Sequence, residues 1–98
     1  MSINKARLWI LRPIHIENDD PWEPWYDKVF GFIIQAETEQ RAREIAAKDA
    51  GDEKYGEKYG TYLKDDIKNP WLDSKYSSCK ELVPYGSEEL IMKDFHAA

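Results

Sequence analysis

Along the chain, apolar positions gather into a few short runs separated by charged and turn-forming stretches. The first run, Leu8-Trp9-Ile10-Leu11, lies between Arg7 and Arg12-Pro13 and is bulky and partly β-branched, which predicts a short strand buried on both faces. Ile14 to Asp27 reads as loop, because Pro21 and Pro24 deny a helix interior or a ladder the N–H groups it needs. A second strand is predicted from Lys28 to Ala36, where Val29, Phe30, Phe32, Ile33 and Ile34 favour extended backbone and Gly31 admits a bulge or a close approach. Thr38 to Ala50 carries helical periodicity. Ala42, Ile45, Ala46 and Ala50 recur three and four apart as one narrow stripe, and Glu39 with Arg43 and Glu44 with Lys48 pair on the opposite, wet side. Thr38 is the expected N-cap and Gly51 the expected left-handed stop.

The only internal repeat, Glu53-Lys54-Tyr55-Gly56 followed by Glu57-Lys58-Tyr59-Gly60, has the charge and glycine of a surface loop. Two more strands are predicted at Ser78 to Val83 and Glu89 to Phe95, joined through Pro84-Tyr85-Gly86-Ser87 as a hairpin. The expected fold is therefore α+β in two layers: a four-stranded, mainly antiparallel sheet in the order β-β-α-β-β, with the helix packed on one face. Its alanine stripe lets that helix lie close to the sheet. No second helix is left to cover the other face.

Composition narrows the functional classes. With 98 residues, 42% hydrophobic and 13% aromatic, the chain reads as one globular domain, residues 1–98. Lys+Arg 14 against Asp+Glu 19 gives a net charge of -5, which opposes binding to duplex nucleic acid. The longest apolar stretch beyond the first strand, Val29 to Ile34, falls far short of the ~20 residues a membrane span requires, and the first residues lack a signal-peptide pattern. Cys79 is the single cysteine, so no intramolecular disulfide forms and the expected compartment is the cytoplasm.

Candidate chemistry is sparse. Glu17, Asp19, Asp20, Glu23 and Asp27 form an acidic run without the ligand spacing of a calcium loop. Cys79, His15 and His96 lack the short spacings of zinc sites, and no nucleophile motif surrounds Cys79. The helix N-terminus carries Glu37 and Glu39, which repel an anion. No catalytic residue, metal or cofactor is assigned, and the expected protein is not an enzyme.

Four tryptophans and six tyrosines are the unusual feature. Trp9, Trp25 and Trp71 read as core or as a cover for the open sheet face. Asp19, Asp20, Trp22, Glu23, Trp25 and Tyr26 read as an acidic, aromatic patch that docks onto a partner with a basic surface or onto a second copy of the chain. The alternative is a small-molecule site, for a nucleotide signal, on the open sheet face with Lys54, Tyr55, Lys58, Tyr59, Tyr62 and Lys64. A homodimer is expected from the open face or an edge strand.

The loop Asp20-Pro21-Trp22-Glu23-Pro24-Trp25-Tyr26-Asp27, Phe30-Gly31-Phe32 leading into Ala36-Glu37-Thr38, Trp71-Leu72-Asp73, Ser77 to Leu82 and the closing Asp94-Phe95-His96-Ala97 resemble a group of short proteins encoded by bacteria, phages and prophages. That resemblance implies a mobile-element setting and no particular activity. By analogy with anti-CRISPR proteins, which occlude surfaces of host defence complexes, it suggests an inhibitor of a host protein or complex.

Overall fold

Strand β1 (Arg7–Pro13) holds the centre of an antiparallel sheet, with β2 (Phe32–Ala36) on one side and β3 (Ser77–Leu82) on the other. The computed structural model describes residues 5–16, 20–22, 27–55 and 69–95, and of Lys54 and Tyr55 the backbone alone. Helix α1 (Glu39–Lys48) covers one face. The architecture of the described residues is thus α+β, with three strands in the order β2-β1-β3 and one helix.

The strand alternation explains the two faces. Trp9 and Leu11 of β1, with Ile34 and Ala36 of β2, point toward α1, where Ala42 and Ala46 are fully buried beneath the helix. Leu8, Ile10 and Arg12 point the other way. Register places Leu8 beside Gln35 and Leu82, and Ile10 beside Ile33 and Lys80.

The expected fourth strand is absent, since none of Glu89 to Phe95 enters the sheet. The segment makes no backbone hydrogen bond to β3, and Leu90 and Ile91 stay exposed. The connection also departs from a tight hairpin: Pro84 lacks an N–H, and of the residues after it Gly86 alone adopts the left-handed region, at φ 122°. The second strand begins late for a related reason. The Val29 N–H is taken by the Glu53 carboxylate at 3.1 Å, outside any ladder.

Helix α1 starts as expected, with Thr38 Oγ1 accepting the Arg41 N–H at 3.1 Å. It ends differently. Asp49 caps it by donating its N–H to the Ile45 carbonyl, and Gly51 is needed for close approach, because a Cβ there would collide with the Asp27 carbonyl. Arg43 leaves the wet side where the spacing put it. It keeps its ion pair to Glu39 at 3.0 Å but is 5% exposed, and its guanidinium donates to Trp71 O at 3.1 Å, Ser77 Oγ at 2.8 Å and Ser77 O at 3.0 Å. This fork fastens the helix to β3 and to a short 3-10 turn at Pro70–Leu72. Glu44 turns to Arg41 and Gln40, and their hydrogen bonds hold its carboxyl below the usual range.

Candidate functional site

The aromatic patch expected from the sequence loses its leading member. Trp22 is 1% exposed, its ring packs edge-on against Trp71 with centroids 4.7 Å apart, and its indole N–H donates to Ile14 O at 3.2 Å and Tyr76 O at 3.1 Å. Pro21 beside it is buried as well. Asp20 builds this inward turn: one carboxylate oxygen accepts the Trp22 N–H at 2.9 Å and the other meets His15 Nδ1 at 3.0 Å. Trp22 is therefore core, and Asp20 is committed to holding it there. Asp19, Glu23, Trp25 and Tyr26 lie outside the described residues.

Trp9 and Trp71 are core, as expected, and each satisfies its indole. Trp9 Nε1 donates to Ala36 O at 2.9 Å and Trp71 Nε1 to Glu53 Oε2 at 2.8 Å. Glu53 is fully buried, and its Oε1 has no hydrogen-bond partner among the described residues. An acidic side chain that the repeat placed on a surface loop thus bridges Trp71 and Val29 inside the fold.

For the alternative ligand site, Lys54 and Tyr55 lie in a second 3-10 turn, Asp52–Tyr55, with no described side chains, and Lys58, Tyr59, Tyr62 and Lys64 lie outside the described residues. The sheet face opposite α1 does carry a hollow of about 390 Å³. Ile10, Leu82, Tyr85, Leu90 and Ile91 line it, together with Glu81, Glu89 and a single cation, Lys80. Glu81 is ion-paired with Arg7 at 3.5 Å and Glu89 offsets Lys80, so the hollow carries no net positive charge to hold a phosphorylated ligand. Cys79, on the helix side of β3, is partly buried, and burial pushes its thiol up, against a smaller lowering by the charge of Arg43. A raised thiol is poorly suited to nucleophilic work. Among the described residues no three His, Cys, Asp or Glu side chains converge as a metal site would require, and no helix is long and apolar enough to cross a membrane.

On the side of the sheet away from α1 Ile10 is buried, but several apolar side chains around it and in the segment after β3 are exposed. Tyr85 is 85% exposed, Leu90 78%, Phe95 73%, and Ile33 and Ile91 58% each. Leu8 and Val83 are also exposed. Strand register joins Leu8, Leu82, Ile10 and Ile33 into one apolar band, and the hollow connects that band to Tyr85, Leu90 and Ile91. Periodicity missed this surface because Leu90-Ile91 looks like the inside of a strand. The available signal was the turn chemistry before it, where Pro84 and Gly86 do not build a two-residue hairpin turn. No protein family, curated protein or solved structure compared with the chain matches it.

Proposed function

We propose that the chain is a small, acidic, non-enzymatic protein-interaction module that binds through the sheet face opposite α1 and the segment 83–95. The observation that carries this reading is the exposure of Tyr85, Leu90 and Ile91 around the hollow, on a sheet face that also exposes Leu8 and Ile33. Contiguous apolar surface of this kind on a soluble domain marks a binding site, and tyrosine at its rim suits one side to a partner and the other to water. The net charge of -5, with Glu81, Glu88 and Glu89 on or beside the surface, favours a partner with a basic surface. The biological form we give it is occlusion of a host protein or complex in the bacterial cytoplasm, as a phage-type inhibitor. That form rests on the resemblance of its motifs and, for the compartment, on the single Cys79.

The test is a double substitution, Leu90→Ser with Ile91→Ser, assayed by capture of partner from a bacterial lysate. Capture is expected to fall at least tenfold while tryptophan fluorescence and melting temperature stay near wild type, since both side chains already face water. Undiminished capture by a folded double variant would remove this surface from the account.

A further inference from the structure

The outer edge of β3 presents backbone groups that β1 does not use, which follows from the ladder geometry. Ile14 donates its N–H to Tyr76 O at 2.8 Å and these two residues continue the β1–β3 register beyond Pro13 and Ser77. In an antiparallel ladder, bonded pairs alternate with non-bonded ones. Counting by twos from Ile14 and Tyr76, the bonded pairs are Arg12 with Ser78, Ile10 with Lys80 and Leu8 with Leu82. Ser77, Cys79 and Glu81 must then direct their backbone groups away from β1. Ser77 does so, giving its N–H to Asp73 O at 3.0 Å and its carbonyl to Arg43 Nη2 at 3.0 Å. The outward N–H and C=O of Cys79 and Glu81 have no hydrogen-bond partner among the described residues.

The hollow opens at this edge. Its lining includes Lys80 and Leu82 from one face of β3 and Glu81 from the other, so it wraps around the strand instead of lying on one side of it. Leu90 and Ile91 form the facing wall, without a backbone hydrogen bond to β3. The edge of β2 presents Ile33 and Gln35 in the same outward phase, so the two edges are told apart by the walled hollow at β3.

We infer that this edge takes an extended segment of a partner protein, which hydrogen-bonds to Cys79 and Glu81 and sets an apolar side chain into the hollow between Leu82 and Ile91. The inference rests on the interaction reading above and names the partner element. Charge selects its type: Glu81 is exposed and, among the described residues, meets only Arg7 Nη1, at 3.5 Å, while Glu89 faces Lys80 across the lining, so the segment carries lysine or arginine that competes with Arg7 for Glu81, alternating with apolar residues. A second copy of the chain is poorly matched. A two-fold antiparallel pairing that used both free residues would set Cys79 against Glu81 of the other copy and bring the two Lys80 side chains face to face at the closest cross-strand spacing.

The experiment selects random twelve-residue peptides against the full chain and maps the winners by amide chemical shifts. Enriched peptides are expected to alternate basic and apolar residues and to shift and protect the Cys79 and Glu81 amides. Glu81→Pro removes an N–H that faces away from β1, so the sheet is retained and affinity is expected to fall at least tenfold. Peptides N-methylated at alternate residues supply the same test from the other side should that variant fail to fold. No enrichment, binding indifferent to N-methylation, shifts centred on Ile33 and Gln35, or protection of Cys79 and Glu81 by self-association would each overturn the inference. If Leu90→Ser with Ile91→Ser abolishes partner capture while Glu81→Pro leaves it intact, the interaction reading stands and strand addition falls.

Discussion

Trp22→Ala separates the two roles open to this side chain, binding anchor and core. At 1% exposure, the indole fills volume between Trp71 and the backbone of residues 14 and 76. Truncation of a buried tryptophan to alanine costs about 3–5 kcal/mol through lost transfer energy and the cavity left behind. The hydrogen-bond loss adds little at one end. Tyr76 O keeps the Ile14 N–H as a donor, whereas Ile14 O loses its indole partner. Trp22→Phe retains most of the ring and loses the N–H, for about 1–2 kcal/mol. A domain of this size has roughly 5–15 kcal/mol in all. The alanine variant should thus lose a large part of its stability, with a fall in Tm of about 15–30 °C. Urea unfolding followed by far-ultraviolet circular dichroism measures both variants without relying on the deleted fluorophore. A Trp22→Ala protein within about 1 kcal/mol of wild type that had lost its partner would refute the core assignment and restore the exposed anchor.

Other perturbations bear on the rest of the fold. Glu53→Ala leaves the Trp71 indole and the Val29 N–H without their acceptor and should cost about 2–5 kcal/mol, while Glu53→Gln keeps an accepting oxygen and should cost less than half as much, both read from urea midpoints. Gly51→Ala drives a Cβ into the Asp27 carbonyl, a backbone atom that cannot swing aside, and should destabilise by about 1–3 kcal/mol in the same assay. Cys79 should react with iodoacetamide several-fold more slowly in the native protein at pH 8 than in urea, because burial keeps the thiol protonated to higher pH; equal rates would contradict the described packing.

Local signals in the sequence were good guides where a single residue type decides the structure. The bulky Leu8-Trp9-Ile10-Leu11 run lies within β1, Thr38 caps α1, and of the Ala42, Ile45, Ala46 and Ala50 stripe the alanines are buried and Ile45 is partly buried. Long-range partners were not legible. Nothing near Arg43 announces that Ser77 and Trp71 will supply acceptors and draw it inside, and nothing near Glu53 announces the Trp71 indole. The same limit misplaced Trp22: its acidic neighbours suggested water, yet Asp20 uses its carboxylate to turn the chain inward. Strand propensity misled at Glu89 to Phe95 because it scores residues singly, whereas a strand also needs a neighbour to complete its hydrogen bonds. The surface proposed to bind was anticipated only as an uncovered sheet face. Tyr85, Leu90 and Ile91, which border it, came from the tail that was expected to complete the sheet.

Amide hydrogen exchange along β3 in the free protein tests the central claim most directly, because it reads which backbone groups are engaged. Lys80 and Leu82 should be protected by β1, and Cys79 and Glu81 between and beside them should exchange at rates close to those of solvent-exposed amides. Uniform protection across residues 78–82 in a monomer would mean that this edge is already paired, and the surface assigned to a partner would not be open to one.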